Sequence, residues 1–134
     1  MIVFLDANVL FTAAHNPKGK SAFIVELASE GYFEVVTCGL AVEEARRNIE
    51  LKFPAAAKHL VLLLKDVVVK ATVSRGHCPI ELPEKDRPIM LSALQIGATH
   101  LLTGDQRHFG RVMNRPKQTK GVLIQTPSQF LDAI

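Results

Sequence analysis

Short apolar runs recur along this chain at intervals that leave room for a helix between them, and two of the runs stop on an aspartate. Ile2-Val3-Phe4-Leu5 ends in Asp6, and His100-Leu101-Leu102-Thr103-Gly104 ends in Asp105. Runs this short fit strands buried on both faces better than helices. Strand patterns fall at 2–5, 34–37, 67–73, 100–103 and 121–124, and helical patterns at 20–30, 40–64 and 87–96. Gly31 and Gly97 are placed to end the first and last helices, and Pro54 divides the middle one in two. Pro88 sits in a first turn, where its missing N–H costs nothing. The alternation predicts an α/β fold, a three-layer α/β/α sandwich around a mostly parallel sheet of about five strands.

In such an open sheet, ligands collect beyond the carboxyl ends of the strands, so Asp6 and Asp105 are expected to meet there. A length of 134 residues with 48% hydrophobic content fits one domain over 1–134, able to bury about two-thirds of its unfolded surface. Cys38 and Cys78 have neither ligand spacing nor enough company for a disulfide framework, so they read as reduced thiols of a cytoplasmic protein. The first apolar run is broken by Asp6 and lacks a basic leader, and run 60–64 is stopped by Lys65 and Asp66. Neither a signal peptide nor a membrane span is expected. The net charge is only +3, yet 106–120 holds Arg107, Arg111, Arg115, Lys117 and Lys120 and no acid. Alone, this is a solvated loop; beside a carboxylate site, it would hold a polyanion.

Two further acids have telling positions. On the helix starting near Leu40, Glu43 stands at i,i+4 to Arg47 and so faces water. Glu44 shares the face of Leu40, Ala41 and Leu51, which puts a carboxylate on the edge of the apolar stripe, where it needs a cation or a donor. Asp86 precedes the 87–96 helix. Each acid has an ordinary explanation, since Asp6, Asp86 and Asp105 could all be helix N-caps worth about 1 kcal/mol, and Glu44 a surface residue. Four carboxylates converging at one sheet end would repel one another and raise each other's pKa, and Mg²⁺ or Mn²⁺, which prefer oxygen ligands, would relieve that.

Asp6-Ala7-Asn8-Val9-Leu10, Glu43-Glu44-Ala45-Arg46-Arg47-Asn48, Asp86-Arg87-Pro88-Ile89 and Thr103-Gly104-Asp105-Gln106-Arg107-His108-Phe109, in this order, resemble the successive motifs of PIN-domain ribonucleases. The resemblance covers nearly the whole chain. It implies metal-dependent hydrolysis of RNA phosphodiester bonds, with Asp6, Glu44, Asp86 and Asp105 as the acidic quartet. Asp6 and Asp105 would be the principal ligands of Mg²⁺ or Mn²⁺, Asp86 and Glu44 second-site or water-mediated ligands, and Asn8 and Thr103 their hydrogen-bonding supports. Arg107 and Arg111 would contact the RNA backbone. The absence of an added domain resembles the toxin of a toxin–antitoxin pair, which implies an antitoxin partner and a homodimer.

Other chemistries lack their residues. The chain has no G-x-S-x-G elbow, no phosphate-binding G-x-x-x-x-G-K-[ST] loop and no H-E-x-x-H zinc motif. The adjacent His77 and Cys78 have no partner pair for zinc. His100 reads as a strand start, and His108 as a surface group or a local hydrogen bond. One Tyr and no Trp argue against a stacking platform for single strands. A receiver or phosphatase-type domain would want a second acid where Asn8 stands. A non-catalytic RNA- or protein-binding scaffold remains an alternative, set against the retention of all four acids.

Overall fold

A computed structural model describes residues 1–134. Five strands, β1 (Ile2–Leu5), β2 (Glu34–Cys38), β3 (Val68–Lys70), β4 (His100–Leu102) and β5 (Leu123–Gln125), form one sheet in the order β3-β2-β1-β4-β5. Every pairing is parallel, with Val3 opposite Val35 and Phe4 opposite Leu101. Seven helices cover it: α1 (Ala7–His15), α2 (Lys20–Ser29), α3 (Gly39–Lys52), α4 (Ala57–Leu63), α5 (Arg87–Ile96), α6 (Gln106–Phe109) and α7 (Pro127–Ala133). Helix α1 packs on α2, α3 and α4, α7 returns to α2, and α5 lies against β2. The result is the expected three-layer sandwich.

The strand order fixes where a ligand can bind. From β1 the chain winds outward through β2 to β3, then crosses back to β4 on the other side of β1. The carboxyl ends of β1 and β4 therefore flank the point where the winding reverses, and a crevice opens there. Val3, Phe4, Leu5, Leu101, Leu102 and Ile124 are fully buried in a cluster of 30 buried residues. Those strands are apolar on both faces because helices cover both.

Several local expectations change. Pairing in the third strand is confined to Val68–Lys70, and all three of its residues are exposed, as suits a sheet edge. The last strand starts at Leu123, because Lys120 and Gly121, with φ of 54° and 88°, form a turn first. Glu43 pairs with Arg46, which also reaches Glu50, and Arg47 takes no part. Leu51 is 80% exposed and belongs to no buried stripe; Ala41, Ala45 and Ile49 make that stripe. Gly97 ends α5 in the left-handed conformation, as expected.

Three helices escape the apolar-period reading, among them the single-turn α6. Helix α1 buries Ala7, Val9, Leu10, Ala13 and Ala14, which share one helical face opposite Asn8, Thr12 and His15. Helix α7 carries a legible start: Thr126 accepts from Gln129 N while the Gln129 side chain accepts from Thr126 N, with Pro127 next in line. What anchors α7 is Phe130, fully buried, edge-on to Phe33 at 5.3 Å and to His100 at 5.1 Å. Phe130→Ala is expected to lower the unfolding free energy by about 3–5 kcal/mol, read as a shifted urea midpoint.

Candidate functional site

The end of β1 is held from both sides. Thr37 Oγ1 on β2 donates to Leu5 O at 2.7 Å, and Asp6 N donates to Leu102 O on β4 at 3.0 Å. Asp6 then starts α1 with a carboxylate that is only 6% exposed. Its Oδ1 accepts from Ala7 N at 2.7 Å, so the capping role is real. Its Oδ2 does more. It accepts from Thr103 Oγ1 at 2.8 Å and from Asn8 Nδ2 at 3.2 Å. Thr103 Oγ1 in turn accepts from Asp105 N at 3.1 Å. Asn8 Oδ1 accepts from Gly104 N at 2.7 Å, and a Cβ at position 104 would come within 3.4 Å of that same oxygen.

Asp105 caps α6 by accepting from His108 N at 3.1 Å. Its Oδ2 lies 2.6 Å from His108 Nδ1, and Asp86 Oδ2 lies 3.1 Å from the same nitrogen. One Nδ1–H serves the shorter contact, which leaves Asp86 Oδ2 buried without a hydrogen-bond partner. Asp86 caps nothing with its side chain. Glu44 comes to the same place from α3, half-buried. Asp6, Glu44, Asp86 and Asp105 all line one cleft of about 630 Å³, together with Asn8, Ser21, Asn48, Lys52, Lys85 and Phe11 among others.

Burial pushes the Asp6 carboxyl up to about 6, against the downward pull of its Thr103 and Ala7 bonds and with Glu44 and Asp86 adding repulsion. Asp86 is also raised, first by burial, with Asp105 adding and His108 and Lys85 opposing. Ligand atoms of Asp86, Asp105 and His108 lie within 4.8 Å of one another. A buried carboxylate oxygen with no donor, next to carboxyls that burial disfavours as anions, is the environment a hard divalent cation satisfies. The residues fit such an ion.

Thus the expected acids converge, with Asn8 and Thr103 between them. Arg107 and Arg111 do not join the cleft: both are exposed, and Arg111 lines a separate recess with His108 and Arg115. The basic residues of the cleft wall are instead Lys52 and Lys85. Sequence reasoning passed over these two and Asn48, whereas His108 makes the local hydrogen bond expected of it, to Asp105, and adds a contact with Asp86. Asn48 stands at i+4 from Glu44, and Lys52 at i+8, a legible helical face. His108 lies at i+3 from Asp105, but nothing in the sequence announces its contact with Asp86.

The fold and cleft are those of a doubly wound parallel α/β protein with an acidic site at its switch point, and known proteins narrow the class further. The PIN domain family pattern matches residues 2–107, and the chain belongs to that family. Among solved structures, the VapBC2 complex of Rickettsia felis, bound to a DNA fragment from its promoter, superposes with a TM-score of 0.67 at 14% identity, covering 94% of this chain and 98% of that one. A PilT N-terminus domain protein of Sulfolobus solfataricus gives 0.59 at 19% identity, covering 99% and 92%. VapC20 of Mycobacterium tuberculosis, a sarcin–ricin loop cleaving toxin, gives 0.53 at 12%, covering 77% and 91%. At these identities, the likeness is one of fold. No curated protein matches the sequence.

The raised Asp6 makes a signed prediction for the metal-free protein. A carboxyl whose pKa rises on folding, from 3.8 to about 6, contributes stability that is fully present below the unfolded value and lost as pH climbs through 6. The shift corresponds to about 3 kcal/mol. In EDTA, the wild-type melting temperature should fall relative to that of Asp6→Asn between pH 4 and pH 7, and equal slopes would contradict the burial argument.

Proposed function

We propose that the cleft is the active site of a metal-dependent endoribonuclease, working in the cytoplasm as the toxin of a toxin–antitoxin pair. The observation that carries this reading is the meeting of Asp6, Glu44, Asp86 and Asp105 along one cleft at the switch point of the sheet. Family membership supports it, since PIN domains are typically nucleases. The toxin–antitoxin part draws on fold likeness to the Rickettsia felis pair and the Mycobacterium tuberculosis toxin. An antitoxin that occludes the cleft and a homodimer are the expected partners. No helix is long and apolar enough to cross a membrane.

Asp6 and Asp105 would be the principal ligands of Mg²⁺ or Mn²⁺, and Asp86 and Glu44 would hold a second ion or bind through water. Such an ion neutralises phosphodiester charge and makes water a better nucleophile at neutral pH. The chain's own groups do the positioning. Thr103 and Asn8 fix the Asp6 carboxylate, and the Asp105 cap fixes the other. His108 Nδ1–H compensates negative charge on Asp105 beside Asp86. Lys52 and Lys85 on the cleft wall attract the phosphate backbone, and Arg107 and Arg111 would extend that attraction beyond the cleft.

Cleavage of a mixed-sequence RNA tests the reading. Wild type should cut in Mg²⁺ or Mn²⁺ and stop in EDTA, and Asp6→Asn, which keeps the shape of the side chain, should be inactive though folded. Undiminished cleavage by Asp6→Asn would sink the mechanism, and a wild type inert toward RNA and metal alike would leave a binding scaffold. Independently of activity, Mn²⁺ at 100 times its Kd should stabilise the native state by about 2.7 kcal/mol.

The glutamates provide a further check. Glu44→Gln is expected to lower cleavage about 10–100-fold, as loss of an outer partner of a metal site does. Glu43→Gln, whose side chain is engaged with Arg46 at the surface, should cleave like wild type. Equal activities would refute the assignment of Glu44.

A further inference from the structure

The cleft continues onto a group of aromatic rings that the acidic site does not use. Phe11 on α1 lines the cleft, and so does Lys52 on the last turn of α3. Lys52 Nζ lies 5.7 Å from the centre of the Phe11 ring, within cation–π range. Beyond Phe11 stand His15, one helical turn on, and Phe53, the residue that terminates α3. The ring centres are 4.8 Å apart for Phe11 and His15, and 5.8 Å for Phe11 and Phe53. His15 and Phe53 stack face to face, at 4.5 Å and 11° between planes. Phe53 is nevertheless 46% exposed.

An aromatic residue at a helix end normally turns into the core. Here Phe53 sits outside the buried cluster and spends its contacts on His15 and Phe11, a small stack with open ring surface and a cation beside it. Phe11 and His15 lie five and nine residues from Asp6 along α1, roughly 8 and 14 Å at 1.5 Å per residue. The stack therefore begins at the wall of the acid cleft and leads away from it. Aromatic faces next to a phosphate-attracting lysine are what a single strand with splayed bases requires, because every base has a π-face and each is followed by a phosphate. A duplex, its bases already stacked, has no use for them.

From this continuity we infer that Phe11, His15 and Phe53, with Lys52, form a stacking subsite for an unpaired nucleobase of a single-stranded RNA lying in the cleft. Phe53 provides the open face, His15 backs it, Phe11 joins the subsite to the cleft, and Lys52 takes the adjoining phosphate. The chain achieves with Phe and His a platform that the lack of Trp argued against. The inference rests on the nuclease reading for its substrate class, while its test does not depend on cleavage.

The probe is a short single-stranded RNA carrying 2-aminopurine, whose fluorescence is quenched on stacking, titrated in EDTA with the full chain. Wild type should bind and quench. Phe53→Leu, which keeps apolar bulk but removes the ring, should weaken binding about tenfold, the expected size of one lost base–aromatic stack, and abolish the quenching. Phe53→Tyr should restore both, which a merely structural role would not require. Lys52→Met should keep the quenching while lowering the salt dependence of binding. Equal affinity and quenching for wild type and Phe53→Leu would overturn the subsite, as would a wild type that does not quench. If Phe53→Leu instead converts a dimer to a monomer with RNA binding intact, the patch belongs to a second copy and the inference fails. Loss of the nuclease reading would show separately, as quenching by a protein that cleaves no RNA with Mg²⁺ or Mn²⁺.

Discussion

The site hangs on one hydroxyl. Thr103 Oγ1, fully buried, donates to Asp6 and accepts from the backbone of Asp105, so two acids almost a hundred residues apart are spaced by a single oxygen atom. Parallel strands have no turn to register them, and the β1–β4 ends are locked instead by this bond and by the Asp6 N to Leu102 O bond beside it. Asn8 repeats the link one step outward, bridging Asp6, Thr103 and Gly104. A buried carboxylate of this kind is costly unless its donors are aimed. Aiming them from β4 makes the position of Asp105 a consequence of the position of Asp6.

The same economy explains why capping and site chemistry are not rivals here. Asp6 and Asp105 each accept a helix N–H with one oxygen, which fixes the carboxylate plane and turns the other oxygen to Thr103 and Asn8 in the first and to His108 in the second. Asp86 lacks such a bond, and its buried Oδ2 stays without a partner. The negative charge gathered here is relieved at its margin by His108 and, on the cleft wall, by Lys52 and Lys85. An acidic floor below basic walls favours a polyanion that carries or shares a cation over a neutral ligand.

Much of this was written in the sequence, for identifiable reasons. Strands covered by helices must be apolar on both sides, so 2–5, 34–37 and 100–103 stood out, and their order of winding brought Asp6 and Asp105 to one edge. Glu44 was legible because it departs from an apolar face. Helix α1 was legible too, since its buried residues share one face opposite Asn8, Thr12 and His15, and it was passed over. The third strand was overread because 67–73 is apolar beyond the three residues that pair. The contact of His108 with Asp86 and the Phe11, His15 and Phe53 stack depend on how separate elements pack, and no local pattern encodes that. Arg107 and Arg111 were drawn toward the cleft by sequence proximity to Asp105, but their helical turns carry them to the surface outside it.

The central claim is that the strand-end carboxylates converge to share a divalent cation. Anomalous diffraction from crystals equilibrated with Mn²⁺ tests it most directly. The account predicts a peak within coordination distance of both Asp6 and Asp105, lost in Asp6→Asn crystals grown the same way. A wild-type cleft without Mn²⁺, or an ion held by Asp86, Asp105 and His108 that ignores Asp6, would contradict it.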